Sequence, residues 1–164
     1  MAVVTMTRVD ARLVHGQVAG RWIKTLDATR IIVIGDDIAT DPFMVELFRL
    51  TSPPGTKITA YTIADAVAEW QKDEFGEGRV ILLFRDIVTA DKAWRAGVKY
   101  KEINIGQVPG APNRKLAWAT VSLSNEEMAI LERLSDDGVR VYFQAIPDDK
   151  QQPLEPVARK FKSV

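Results

Sequence analysis

The only histidine of the chain lies in a short charged segment between an apolar run and an amphipathic one. The residues around His15 that could take part in chemistry are Arg8, Asp10, Arg12, Gly16 and Gln17. The run Val3–Val9 before this segment predicts a strand, and the spacing after it predicts a helix. A helix start offers unpaired N–H groups and the positive end of the helix dipole, and arginine offers forked donors to phosphate. These residue types predict a place where a phosphoryl group rests on an imidazole nitrogen.

Each of these residues has a predicted role in phosphoryl transfer. His15 attacks phosphorus as a neutral imidazole, and the reaction then depends mainly on positioning and charge neutralisation. The predicted phosphate-binding residues are Arg8, Arg12, Gly16 and Gln17. Asp10, the nearest carboxylate in sequence, either holds the second ring nitrogen of His15 or holds Arg12. Because the segment has no cluster of carboxylates for a divalent metal, we expect a reversible carrier without metal or cofactor rather than a hydrolase.

Composition restricts the class of protein. A chain of 164 residues fits a single domain over residues 1–164, and 46% hydrophobic with 27% charged residues is typical of a globular protein. Lys+Arg and Asp+Glu both number 22, so no overall charge attracts nucleic acid. The lack of cysteine excludes disulfides and thiolate catalysis. No apolar stretch approaches the ~20 residues that cross a bilayer, and no export signal is seen, so we expect a cytoplasmic protein.

Apolar runs and helical patterns alternate along the chain. The predicted strands are Val3–Val9, Ile31–Ile34, Lys57–Tyr61, Val80–Phe84, Glu102–Ile105, Ala117–Leu123 and Val139–Ile146. The alternation predicts an α/β fold with a doubly wound, mainly parallel sheet of about seven strands and helices on both faces. Because no clear helical pattern separates the fifth and sixth strands, the sequence allows one late strand to be antiparallel.

The second predicted helix has a recognisable start. Asp41 is its expected cap and Pro42 its first residue, and its apolar stripe is formed by Phe43, Leu47 and Leu50. Exposed apolar stripes of this kind could support a homodimer.

Two further features are an acidic pair, to which we assign a structural role, and an irregular segment, whose role the sequence leaves open. Asp36 and Asp37 follow the second strand, where carboxylates more often cap a helix or solvate a turn than bind a ligand. The irregular segment Gly106–Arg114 is the longest within the fold and could contribute to the site or to partner choice.

The segment Arg8–Val18, read as RVDARLVHGQV with Trp22 one turn on, is long and specific. It resembles the N-terminal signature of the mannose/fructose/sorbose-type IIB component of the bacterial phosphoenolpyruvate-dependent sugar phosphotransferase system. The resemblance extends over the whole chain, and its further matches are Ile34-Gly35-Asp36-Asp37, Pro53-Pro54-Gly55, the strand near Phe84, Asn104-Ile105-Gly106 and Tyr142-Phe143-Gln144-Ala145-Ile146-Pro147. The chain departs from the family pattern at Ala11 and at Gln107-Val108.

The resemblance implies a function and partners. The family histidine, here His15, accepts phosphate on Nδ1 from a phosphohistidine of the IIA partner. The phosphate then passes to a hexose of the mannose, fructose, sorbose or N-acetylhexosamine class, held by the membrane subunits IIC and IID. The protein would be a protein-Npi-phosphohistidine–sugar phosphotransferase associated peripherally with the permease. Asp10 and Arg12 match the charged loop of the motif, and Asp10 is also a candidate general base for the sugar hydroxyl.

Another interpretation is a non-catalytic α/β module that binds a phosphorylated metabolite, with His15 and Arg12 as ligands only. The glycine-rich fingerprints of nucleotide-binding loops are missing from the sequence. A receiver domain phosphorylated on aspartate is a third interpretation, but its set of acidic residues and lysine cannot be placed in this sequence.

Overall fold

The computed structural model describes the backbone of residues 1–164 and every side chain except those of Gln17 and Val18. The strands are β1 Val3–Asp10, β2 Arg30–Ile34, β3 Lys57–Tyr61, β4 Arg79–Phe84, β5 Glu102–Gln107, β6 Lys115–Trp118, β7 Val121–Leu123, β8 Arg140–Phe143 and β9 Gln152–Pro153. The helices are α1 Gly16–Leu26, α2 Asp36–Ala39, α3 Pro42–Thr51, α4 Ile63–Asp73, α5 Ile87–Ala96, α6 Asn125–Asp136 and α7 Leu154–Lys162.

The strands form one large sheet that has the predicted α/β architecture. The seven strands of this sheet follow the order β3-β2-β4-β1-β5-β8-β9. The pairs from β3 through β8 are parallel, and β9 pairs antiparallel with β8. The predicted doubly wound, mainly parallel sheet with one late antiparallel strand is therefore confirmed. Strand β1 lies at its centre, between β4 and β5.

The sheet is buried on both faces, and strands β2 and β4 are apolar at every position after their first residue. In β2, Ile32 and Ile34 pack into one core cluster while Ile31 and Val33 pack into the other. Helices α4 to α7 supply residues to the first cluster, and α1, α2 and α3 supply residues to the second. Continuous apolar runs are expected in strands that helices cover on both sides.

One predicted strand is wrong. The run Ala117–Leu123 forms parts of β6 and β7, which pair antiparallel in a separate two-stranded sheet. Ala119 has a φ of 30° at the turn between them, a conformation that breaks an extended run. Most of the run is apolar or β-branched, so its composition gives no sign of a turn. The seventh strand of the large sheet is instead β9, whose two residues are too short for a sequence pattern.

Helix α3 begins as predicted but buries a different face. Asp41 caps it, accepting a hydrogen bond from the backbone N–H of Phe43. The predicted stripe points largely outward, since Phe43 is 71% and Leu50 67% exposed. Phe48 is the residue of α3 that enters the core. Apolar residues occupy more than one face of this helix, so periodicity alone does not identify the buried one.

Several helix ends agree with their sequence signals. Thr62 caps α4, and Ser124 with Glu127 forms a complete capping box at the start of α6. Gly97 ends α5. Over the described residues, no helix has the length and apolar character to cross a membrane, and the longest, α6, has 12 residues.

Candidate active site

The segment between β1 and α1 is held by its own backbone and by one buried side chain. The N–H of Leu13 donates to the carbonyl of Asp10 at 2.9 Å, which closes a turn at the end of β1. Leu13 adopts a left-handed φ of 57° and is only 6% exposed. A non-glycine residue in this conformation is strained, and burial of its side chain offsets the strain. The charged residues on either side of Leu13 are therefore presented by a well-anchored loop.

His15 lies at the start of helix α1. Its backbone is extended, with φ −147° and ψ 139°, and its carbonyl accepts the N–H of Ala19 at 3.2 Å. Its side chain does not cap the helix, so the imidazole remains available for other partners. The next residue, Gly16, has a φ of +43°, and a Cβ at this position would meet no atom within 4 Å. The backbone conformation therefore favours glycine at position 16, and a Cβ there would have open space around it.

Asp10 is the acceptor on which the charged side chains converge. It is 1% exposed. Its Oδ1 accepts from the backbone N–H of Arg12 at 3.0 Å and from Arg12 Nε at 3.3 Å. Its Oδ2 accepts from Arg8 Nη2 at 3.2 Å and from Arg12 Nη2 at 3.4 Å. Both oxygens of this carboxylate are thus occupied by arginine donors.

The imidazole of His15 stands above this carboxylate. Its Nε2 lies 3.6 Å from Oδ2 of Asp10, and the side chain is 26% exposed. Of the two ring nitrogens, Nε2 is therefore the one that faces Asp10. The imidazole is thus near a buried carboxylate on one side and partly open to solvent.

Arg12 combines a fixed guanidinium with an exposed surface. Its side chain is 48% exposed although it donates to Asp10 through two nitrogens. Such a guanidinium still has N–H donors that point to solvent, because arginine carries five. Arg12 therefore keeps donors free toward solvent while Asp10 holds its guanidinium in place.

Arg8, which the sequence grouped with the phosphate ligands, lies inside the protein. It is 3% exposed and its guanidinium packs on the ring of Trp22 at 5.2 Å. Burial lowers the pKa of Arg8 below its usual value, and the neighbouring charge of Asp10 opposes this shift. The structure brings Arg8 to Asp10, not to the surface on which His15 is exposed.

Two residues from distant strands complete the surroundings of Arg8. Arg8 Nη1 donates to Asn104 Oδ1 at 2.8 Å and to the carbonyl of Gln144 at 2.9 Å. Arg8 Nη2 donates to the carbonyl of Ala145 at 2.8 Å. Asn104 and Gln144 are not among the predicted site residues. The sequence did contain a pattern that could have identified them: both are polar residues within or next to apolar strands, and both belong to segments that carry the family resemblance.

The predicted irregular segment Gly106–Arg114 begins as a strand, since Gly106 and Gln107 are the last residues of β5; this start contacts the site loop, and the far end does not. The N–H of Ala11 donates to the carbonyl of Gln107 at 3.1 Å, which joins the charged loop to this segment. The hydroxyl of Thr120 donates to the carbonyl of Gly106 at 2.7 Å. At the far end, Arg114 forms a bidentate ion pair with Glu127 on α6, at 2.9 and 3.0 Å.

The remaining residues that the sequence analysis singled out are Asp36, Asp37 and Gln17, and the first two contact residues outside the loop that carries His15. Asp36 accepts from the backbone N–H of Ile63 at 2.8 Å, at the start of α4, and Asp37 pairs with Arg85 at 2.7 Å. Their expected structural role is thus confirmed for Asp36, which caps a helix. The side chain of Gln17, a predicted phosphate ligand, lies outside the described part of the chain.

A groove of about 350 Å³ opens beside His15, between α1 and α3. Val14, Ala19, Leu47, Phe48 and Pro53 supply most of its apolar lining. No lysine or arginine lines it among the residues with described side chains. The groove that adjoins the imidazole is therefore mainly apolar among the residues with described side chains.

Comparison with known proteins gives a consistent result over the full chain. A sequence model of the family described as "PTS system sorbose subfamily IIB component" matches residues 4–164. The sorbose-specific EIIB component of Klebsiella pneumoniae is 31% identical over 146 residues, which cover 89% of each chain. The crystal structure of manxB from Thermoanaerobacter tengcongensis is 36% identical and has a TM-score of 0.90, covering 98% of each chain.

A longer relative shows similarity over part of its length. The mannose-specific EIIAB component of Escherichia coli strain K12 is 27% identical over 147 residues. The match covers 90% of the present chain and 46% of that relative. The chain is thus similar to about half of a protein whose name joins an A and a B component.

Proposed function

Since the chain belongs to the sorbose subfamily of IIB components of the sugar phosphotransferase system, we propose that it relays a phosphoryl group through His15. The group arrives from a phosphohistidine of a IIA domain or protein and leaves to a hexose held by the membrane subunits IIC and IID. The observation that carries this proposal is the partly exposed imidazole of His15, whose Nε2 lies 3.6 Å from the buried carboxylate of Asp10.

Asp10 prepares the ring for attack on phosphorus. A proton on Nε2 is favoured by the facing carboxylate, so the lone pair lies on Nδ1. Nδ1 attacks phosphorus, the new N–P bond forms, and the bond to the partner's imidazole breaks with its electron pair returning to that ring. The buried carboxylate then stabilises the positive charge that develops on the phosphorylated ring.

Neutralisation of the phosphoryl charge falls to Arg12 and to the start of α1. Arg12 is half-exposed and is held by Asp10, the same carboxylate that His15 faces, so its free N–H donors are preorganised to bind a phosphoryl group. The N–H groups of the first helical turn and the helix dipole add to this stabilisation. Arg8 contributes through Asp10, because its terminal nitrogens are already bound by protein acceptors.

Transfer to the sugar requires removal of a hydroxyl proton. Asp10 is buried and both of its oxygens accept hydrogen bonds, which favours an orienting role over that of a general base. The base then comes from the subunit that holds the sugar.

The donor and acceptor are proposed to be proteins rather than free metabolites. The groove beside His15 is apolar, whereas a site for a phosphorylated metabolite is expected to offer several cations. The similarity to the EIIAB relative supports a IIA partner.

We place the protein at the cytoplasmic side of the permease, acting as one domain over residues 1–164. The exposed stripe of α3 supports a homodimer, which sedimentation of the purified protein would detect.

The test is a relay assay with phosphoenolpyruvate, the general phosphotransfer proteins and a matching IIA. Wild type is expected to gain one acid-labile, base-stable phosphoryl group. His15→Ala is expected to gain none, while Arg21→Gln, a change of an exposed cation on the same helix, behaves as wild type. Full phosphorylation of folded His15→Ala protein contradicts the proposal. A wild type that gains no phosphate, but whose melting temperature rises with a phosphorylated metabolite, identifies a binding module instead.

A further inference from the structure

Gly106 lies against the guanidinium of Arg8. A Cβ placed on Gly106 would overlap the guanidinium carbon and both terminal nitrogens of Arg8, far inside van der Waals contact. Gly106 has no positive φ, unlike Gly16, so the backbone conformation does not require glycine there. What this position requires is space for the arginine head group.

The atoms that would be displaced are the ones that make the buried network. Nη1 and Nη2 of Arg8 together reach Asn104, Asp10 and the carbonyls of residues 144 and 145. Arg8 is almost fully buried, so it has no solvent into which to turn. Any side chain at position 106 therefore acts on Asp10 through Arg8.

The backbone at position 106 is poorly able to move away. Its carbonyl accepts the hydroxyl of Thr120, and the carbonyl of Gln107 accepts the N–H of Ala11. The segment is also a strand, with Gln107 opposite Asp10 in the β1–β5 register. A side chain added at position 106 would therefore displace the guanidinium of Arg8 rather than the main chain.

We infer that Gly106 is a positioning residue of the phosphoryl site: its lack of a side chain seats the Arg8 guanidinium, which fixes Asp10 beneath His15. This inference rests on the proposed function, since its first readout is phosphoryl acceptance. It assigns residues 8 and 106 to one unit, although 98 positions separate them in sequence.

The first experiment compares Gly106→Ala with Gly110→Ala. Gly110 lies in the same segment, has no positive φ and has no atom within 4 Å of a Cβ, so it controls for the substitution itself. Gly106→Ala is expected to lower the maximal rate of phosphoryl acceptance at least about tenfold, with little change in KM for IIA, because the network is internal. Gly110→Ala is expected to retain the wild-type rate. Equal rates for Gly106→Ala and wild type overturn the inference.

The second experiment asks whether Gly106 acts through Arg8. Lysine at position 8 has one compact nitrogen in place of the planar head group. Gly106→Ala is therefore expected to cost less than about twofold in the Arg8→Lys background, against tenfold in the wild-type background. Equal losses in both backgrounds, or failure to fold in both, overturn the inference. If Gly106→Ala fails to fold when residue 8 is arginine but folds in the Arg8→Lys background, the result supports the inference.

A spectroscopic readout separates this inference from the proposed function. The single histidine gives one set of imidazole resonances. Gly106→Ala is expected to shift them, because Asp10 moves relative to Nε2, while Gly110→Ala leaves them unchanged. If wild type accepts no phosphate but these shifts occur, the proposed function fails and the positioning inference stands. If wild type accepts phosphate and the shifts are absent, the inference alone fails.

Discussion

Asp10 lies directly beneath His15, its Oδ2 being 3.6 Å from the imidazole Nε2, and both arginines of the motif donate to it. One buried carboxylate thus orders three charged or chargeable side chains. Replacement of this carboxylate is expected to affect more of the site than replacement of either arginine.

Asp10→Asn is expected to slow acceptance of phosphate from IIA by roughly 10- to 100-fold, because an amide cannot bind both arginines and face Nε2 as an anion. It is also expected to destabilise the fold by about 3 kcal/mol, since Arg8 loses its buried counter-charge. Single-turnover phosphorylation and urea unfolding measure the two effects. If Asp10→Asn accepts phosphate at the wild-type rate and fails only in transfer to sugar, Asp10 is a general base instead.

Arg12→Gln is expected to lower the acceptance rate by about 10- to 100-fold, because its half-exposed guanidinium, held by Asp10, is the proposed phosphoryl-binding cation of the loop. Stability should change little, since the side chain is half-exposed. Arg21→Gln on α1 removes an exposed cation that is paired with Asp148 and serves as the matched control. A similar loss in both variants would mean that general charge, not the position of Arg12, governs the rate.

Gly16→Ala and Gly20→Ala are expected to change stability in opposite directions. Gly16 has a φ of +43°, where alanine costs about 1 kcal/mol. Gly20 lies within the helix, without a positive φ and with no atom near a Cβ, so alanine should stabilise by about 0.5–1 kcal/mol. Urea unfolding measures both stability changes, as shifts of the unfolding midpoint with no change in the slope of free energy against urea concentration. Two changes of the same sign would refute the assigned backbone conformations.

Glu127 provides a test of stability against pH. Burial by itself raises its pKa, but hydrogen bonds from Arg114 and Ser124 outweigh burial and lower the pKa below the usual value of 4.5. A lowered folded-state pKa means that the carboxylate stabilises the fold above about pH 4.5, and that this contribution is lost as the pH falls through the folded value. Glu127→Gln should therefore cost about 2 kcal/mol at pH 7.

The difference between wild type and Glu127→Gln should shrink as the pH falls below 4.5. Glu46→Gln is the control, because Glu46 is also paired with an arginine, Arg49, but both side chains are exposed. No resolvable change is expected for it at any pH. Denaturant unfolding from pH 3 to 8 measures these differences. A constant gap across that range would mean that folding does not lower the pKa of Glu127.

The site loop was predictable because its information is local. A buried strand, a charged turn and a helix start follow one another within residues 3–26, and the structure brings Asp10, Arg12 and His15 together as the sequence indicated. The alternation of a strand also places Arg8 on the same face as Asp10, two residues later. That face meets Trp22 and the core, which explains why Arg8 is buried.

The partners of Arg8 were not predictable from local patterns. Asn104 and the carbonyl of Gln144 reach it only because β5 and β8 follow β1 in the sheet order, which alternation of elements does not specify. The β6–β7 hairpin was missed for the opposite reason: an apolar, strand-like run hides the turn at Ala119. Non-local pairing and turns without glycine or proline are the two physical sources of error in this chain.

The hydrogen bond from Arg8 to the carbonyl of Ala145 spans 137 residues of sequence. During synthesis, a ribosome that has released the first hundred residues has already delivered the whole loop that carries Asp10, Arg12 and His15. The nascent chain nevertheless lacks the carbonyls that seat Arg8, and contacts this distant in sequence form late in folding. For the proposed relay, we therefore expect that a chain ending before Ala145 cannot seat Arg8 and accepts phosphate poorly, so that unfinished copies would withdraw little phosphate from the pathway.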